Sequence, residues 1–384
     1  MVVRTSLEGS SNSVSPVYEN LSRRASEVAC RPKQRHSGEI EEKGFLLTIV
    51  VPLFPQSYRA RYDVKLNTMS ETCEFKRVGE YVYELKHEDN PEAVTVFFHG
   101  LLVDESEKDH AFWSTWTKFR THECWPVTML PKLLADKSPS DPCRIRVLAV
   151  SYEGRVSVPD GTDGTDHFLL VENLISELIY SGRCHGPDGV GAGEVPVFLV
   201  GHDLGGLIIK EFVMAVEKQD DSIGRLRQEE EDDLKEKEKR QNFLSNLSAI
   251  FFYATPHNGS EAIEDLAKGV PEDSRNRMLA LLSVLGSDMS RINADFSLYR
   301  SGRGVGSDVR FKTYAIVAQN PTSQKGCGKT MLVPEASARF DMDNFYSVSA
   351  DHFEVCQPKG TWSAALTELG EAIYEHVSQI RSSK

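Results

Sequence analysis

The 384-residue chain has no apolar run long enough to cross a bilayer. Its longest, Phe45 to Phe54, is broken by Pro52 and falls far short of the roughly 20 residues that a spanning helix needs. Positive charge is also scarce. The net charge of -13 argues against nucleic acid and against anionic membrane surfaces as partners. The seven cysteines (Cys30, Cys73, Cys124, Cys143, Cys184, Cys327 and Cys356) are scattered, odd in number and without C-x-x-C spacing. That predicts reduced thiols in an intracellular compartment, cytoplasmic in the first instance, and no zinc site. There is no H-E-x-x-H, and the glycine-rich stretch His185 to Gly193 is far from a Walker pattern. The turn Pro159 to Gly164 lacks the glutamate that closes a calcium loop. No metal or cofactor is expected.

What is present reads as globular. Apolar residues make up 40% and charged residues 26%, ordinary values for a folded chain with a sizeable core. Residues 1–43 are Ser-rich and read as a disordered arm; a transit peptide, hence an organelle, is the competing reading. Residues 44–384 read as one α/β domain. Within it, residues 215–242 carry a dense charge run, expected to be a solvated helical insertion. Helices are expected over Ala111–Leu134, Asp166–Tyr180 and Ala364–Ile380.

The chemistry concentrates in Val195-Pro-Val-Phe-Leu-Val-Gly-His-Asp-Leu-Gly-Gly206. An apolar strand, a tight turn and a helix follow one another, as in the G-x-S-x-G nucleophile elbow. The strained turn lifts one side chain above the sheet, beside the positive end of the next helix. Asp203 occupies that position. Leu204, the next residue, would offer a backbone N–H to an oxyanion hole. Upstream, a β-rich run from Ala93 ends in His99-Gly100-Leu101, the form of a loop that supplies the second N–H. Downstream, His352 follows a strand-like stretch. The order oxyanion loop, elbow, histidine is that of an α/β-hydrolase fold, with a mostly parallel central sheet flanked by helices.

Further segments carry a resemblance. They are Glu123-Cys-Trp-Pro126, Val147 to Tyr152, Thr255-Pro-His-Asn-Gly-Ser260, Val333 to Ala338, and Ala350-Asp-His352 with Cys356. Over residues 90–380 the chain resembles the lipase-like α/β-hydrolases of the serine-active-site-containing and GPI-inositol-deacylase kind. The resemblance implies a lipase or esterase lineage and a small apolar or lipid-like ligand. It also implies that the chain can sit beside signalling modules or protein partners. His352 takes the place of the base, and the 255–260 block shapes the pocket floor. His99 would brace the oxyanion loop, His202 pack beside the elbow and His257 order its loop.

The departures from that family are equally informative. It has serine where this chain has Asp203. The stretch Ala318 to Thr322, where a glutamate is expected, contains no acid. Glu335, Asp341, Asp343 and Asp351 remain, and Glu335 is the chosen orienter of His352. Two outcomes follow. In an altered hydrolase, Asp203 attacks an sp³ carbon and His352 activates water against the resulting ester. In a pseudoenzyme, the fold survives as a ligand-sensing or signalling module.

Overall fold

The computed structural model describes residues 75–102, 110–118, 121, 123–158, 166–182, 189–222, 231–302, 311–324 and 328–384. All of them lie in one compact unit, Pro52–Lys384. The expected arm 1–43, the Pro159–Gly164 turn and residues 185–188 fall outside the described residues.

Eight strands form the main sheet. They are β1 (Lys76–Arg77), β2 (Val82–Lys86), β3 (Ala93–Phe98), β4 (Ile145–Val150), β5 (Val197–His202), β6 (Leu247–Tyr253), β7 (Lys312–Ala318) and β10 (Asn344–Val348). A separate hairpin pairs β8 (Thr322–Gln324) with β9 (Gly328–Thr330). The sheet order is β1-β2-β4-β3-β5-β6-β7-β10. β2 runs antiparallel to both of its neighbours, β1 and β4, at one edge, and every other pairing in the sheet is parallel. This is an α/β-hydrolase fold.

The central strands β3, β4, β5 and β6 are buried at every residue. Helices cover both faces, so these strands read as continuous apolar runs rather than alternating ones. One core layer packs the elbow helix Leu204–Ser222 and the helix His167–Ile175 on the sheet. The other packs Trp125–Lys137 and Ala364–Ser383 on the opposite face. From β3 the chain steps one way to β4; from β5 onward it proceeds the other way. Ligands in open α/β sheets bind at the carboxyl ends of strands at such a reversal.

Three expected helices differ in detail. Ala111–Leu134 is a short turn of helix, Ala111–Ser114, followed by Trp125–Lys137, with Pro126 in the first helical turn where its missing N–H costs nothing. Asp166 caps His167–Ile175 by accepting from the Phe168 N–H at 2.8 Å, and the helix then widens into a π-turn, Ser176–Tyr180. The charge run expected as an insertion over 215–242 belongs to two helices. Its start ends the elbow helix at Ser222; its finish lies in Glu231–Asn246, which leads directly into β6. Both helices have a buried stripe in their described parts, through Phe212, Val213, Val216 and Phe243.

Candidate active site

β5 delivers Asp203 to the carboxyl end of the sheet. The residue has a φ of 49°, a left-handed backbone that aspartate tolerates better than most residues. Its N–H donates to the Tyr253 carbonyl at 2.9 Å, and its carbonyl accepts from the Gly206 N–H at 3.1 Å. The turn closes against β3 so tightly that a Cβ at Gly205 would lie 2.4 Å from the Phe98 carbonyl oxygen. Only glycine fits there.

The Asp203 carboxylate lies in the oxyanion hole itself. Oδ2 accepts from the Leu101 N–H at 3.0 Å. The Leu204 backbone N–H also favours the charged form of this carboxylate. Gly100 makes this approach feasible, because a Cβ there would lie 2.6 Å from the Asp203 Cβ. Oδ1 is buried and has no hydrogen-bond partner. Burial pushes the Asp203 pKa above the usual aspartate range, while nearby His202 and the two N–H donors act in the opposite direction.

His99 holds the loop. Its Nδ1–H donates to the Gly100 carbonyl at 2.8 Å, and its Nε2 accepts from the Tyr152 N–H at 3.2 Å. The Tyr152 hydroxyl donates to the His99 carbonyl, and the two rings stack at 4.1 Å. This pattern assigns a single neutral tautomer. Burial pushes the His99 pKa down to about 4.

His352 follows β10. Its N–H donates to Thr322 Oγ1 at 3.2 Å, and its carbonyl accepts from His202 Nε2–H at 2.9 Å. Its ring Nε2 stands 3.6 Å from Asp203 Oδ1. That separation is within ion-pair range, yet burial pushes both His352 and His202 down to about 3. Burial thus favours the neutral ring at physiological pH. The second ring nitrogen, Nδ1, is buried without a partner.

The structure brings together Asp203, His352, His202, His99, Gly100, Leu101 and Leu204. It does not bring Glu335 to them. Glu335 is exposed at the start of a short helix and pairs with Arg339 at 3.5 Å. Asp351 caps its own turn by accepting from the N–H groups of Phe353 and Glu354. Asp341 and Asp343 pair with Arg300 at 3.4 and 2.7 Å. Meanwhile Gln319 and Asn320 are tied by their N–H groups to the carbonyls of Val348 and Ala350. A segment without an acid thus lies against the His352 loop.

His257 differs from expectation. Both its ring nitrogens are buried and without partners, so its side chain holds nothing by hydrogen bonds. Its carbonyl accepts from Asn293 Nδ2 at 2.5 Å, and Asn293 Oδ1 accepts from Lys210 Nζ at 2.8 Å. Lys210, which the sequence reading missed, is fully buried on the elbow helix. The rings of Phe252, Phe296 and Phe340 stand 5.6, 5.2 and 4.7 Å from its Nζ. Burial drives its pKa well down. Among the described residues, no cluster of His, Cys, Asp and Glu is arranged to hold a metal ion. None of the described helices is long and apolar enough to cross a membrane.

No protein-family model matches the chain. Protein SERAC1 of Danio rerio is 23% identical over 283 residues, covering 70% of this chain and 36% of that protein. Protein SERAC1 of Homo sapiens is 23% identical over 324 residues, covering 80% of this chain and 42% of that protein. The chain thus spans well under half the length of these relatives. Among solved structures, the Bacillus licheniformis lipase BlEst2 is 15% identical, with 76% of this chain and 98% of that chain covered and a TM-score of 0.39. A mutant of the esterase E40 is 15% identical, with 80% and 84% covered and a TM-score of 0.41. Those scores lie below 0.5; the strand order and the elbow define the fold.

Proposed function

We propose that this chain is a hydrolase-fold domain of lipase or esterase lineage that binds a small ligand and performs no acyl transfer. One observation carries the reading: Asp203 Oδ2 already occupies the Leu101 donor, and the Leu204 N–H favours the same carboxylate. An ester carbonyl entering the site would find that hole filled by a carboxylate. Removing a single oxyanion-hole donor costs about 10²–10³ in kcat. Here the Leu101 donor is taken, and an acidic group stands where negative charge would have to develop. Attack by Asp203 on an acyl group would also yield a mixed anhydride, less favourable than an acyl-serine. The unpartnered Nδ1 of His352 points the same way, since no acid fixes the tautomer that a base requires.

A second reading rests on Asp203 Oδ1, which lacks a partner and stands 3.6 Å from His352 Nε2. In it, Oδ1 attacks an sp³ carbon, the leaving group departs with its electron pair, and an alkyl ester forms on Asp203. His352 then takes a proton from water, the hydroxide adds to the ester carbonyl, and the charge develops on Oδ2 between the two N–H groups. The alcohol leaves and the carboxylate returns.

Peptide mass spectrometry separates the two. Wild type and His352→Ala are each incubated with 1-bromohexane and with 1,2-epoxyhexane. Neither protein gains an alkyl adduct on Asp203 if the site is non-catalytic. An adduct that accumulates in His352→Ala and is absent from Asp203→Asn would establish the aspartate hydrolase instead.

A further inference from the structure

We infer that Asp203 has inverted the polarity of the ligand site, which takes an apolar ligand with a hydrogen-bond-donating, cationic head, a primary alkylammonium, and rejects a carboxylate or an ester. This inference rests on the non-catalytic reading above and deepens it.

In a serine hydrolase the same position presents donors: two N–H groups awaiting an oxyanion. Here the Leu101 N–H is used internally by Oδ2, and the Leu204 N–H favours the same carboxylate. What remains is Oδ1, a carboxylate oxygen buried without any hydrogen-bond partner. A buried acceptor of this kind is costly until a donor arrives. Asp203 is fully buried, and among the described residues its only neighbour at ion-pair distance is His352. That ring, like those of His202 and His99, is held neutral by burial. No described side chain therefore supplies the positive charge that a buried carboxylate calls for. An ammonium head supplies both missing elements, the charge and an N–H for Oδ1, and a charge-assisted hydrogen bond is about twice as strong as a neutral one. Leu101, half-buried, and Leu204, buried, adjoin the carboxylate. A ligand carboxylate would meet Oδ1 with like charge and find the Leu101 N–H taken.

Titration calorimetry with three probes of equal chain length tests this. Hexylammonium, 1-hexanol and hexanoate are titrated into the intact protein at neutral pH and fixed ionic strength. Wild type is expected to bind hexylammonium at least about tenfold more tightly than 1-hexanol, a difference of about 1.4 kcal/mol, and to show no saturable binding of hexanoate. Asp203→Asn, which keeps shape but loses charge, should erase the ammonium preference. Asp203→Ser serves as a second variant and should reverse it by freeing the N–H donors for hexanoate. Absence of saturable hexylammonium binding to wild type overturns the inference. So does hexanoate binding as tightly, or an ammonium preference that survives Asp203→Asn. A covalent adduct on Asp203 in the bromohexane experiment would sink the non-catalytic reading alone, because the order of the three affinities is read separately.

Discussion

The Leu101 N–H donates to Asp203 Oδ2 at 3.0 Å. The loop that would stabilise a transition-state oxyanion is therefore engaged by the residue in the nucleophile's place. Four expectations follow from this contact and the buried groups around it, and a fifth tests the contact itself.

Asp203→Asn should stabilise the fold at neutral pH. The native carboxyl has a pKa above its unfolded value, because burial disfavours the charge. The folded state thus binds more protons than the unfolded state above the unfolded pKa, and stability falls as pH rises through that window. The asparagine carbonyl keeps the Leu101 bond, and its NH₂ faces His352. A gain of about 1–2 kcal/mol, or roughly 2–6 °C in Tm, is expected at pH 7. Differential scanning calorimetry should show the gain shrinking as pH falls toward 4.

Asp203→Ser should acquire weak p-nitrophenyl ester hydrolysis and become labelled by a fluorophosphonate, whereas wild type does neither. The rate stays low because His352 Nδ1 lacks an acid; loss of the acid alone costs about 10⁴ in a serine protease triad. Adding Asn320→Asp, on the segment joined to the His352 loop, should raise the rate by about tenfold or more. Progress curves on the single and double variants check both statements.

Acid should unfold the protein early. His99 has its pKa lowered to about 4, and His202 and His352 to about 3, each by burial. Unfolded histidine titrates near 6.5, so between about pH 6.5 and 3 the unfolded state binds more protons and stability rises with pH. Tm measured downward from pH 7 should fall steeply through this window. His202→Gln, which can still donate to the His352 carbonyl, should flatten the slope by about one proton.

Lys210→Met should be neutral or stabilising at pH 7, because it removes a buried amine whose charged form burial disfavours while keeping the length of the side chain. The native amine has a lowered pKa, so between its folded value and about 10.4 the unfolded state binds the extra proton. Wild-type stability therefore gains with pH in that range. The Tm advantage of Lys210→Met should decrease from pH 7 toward pH 10.

Much of this was legible in the sequence, for physical reasons. Continuous apolar runs mark β3 and β5, and the spacing of Gly201, Gly205 and Gly206 around Asp203 marks a turn closed against neighbouring backbone. Other features had no local signal. That Oδ2 turns into the hole depends on how closely Gly100 approaches Asp203, 103 positions further along the chain, and only tertiary contact fixes it. The choice of Glu335 followed chain order, but its side chain points to Arg339 at the surface. Lys210 looked like an ordinary polar residue of a helix, and only the three surrounding rings and Asn293 show it to be interior.

The central claim is that the Asp203 carboxylate fills the hole formed by Leu101 and Leu204, and amide resonances report it directly. ¹H–¹⁵N spectra of wild type and Asp203→Asn are compared across pH. In wild type both amide protons should lie downfield and shift together with one midpoint above the usual aspartate range. In Asp203→Asn that titration should be gone. If the Leu101 and Leu204 amides are unmoved by pH in wild type, and unmoved by the substitution, the hole is empty and the account fails.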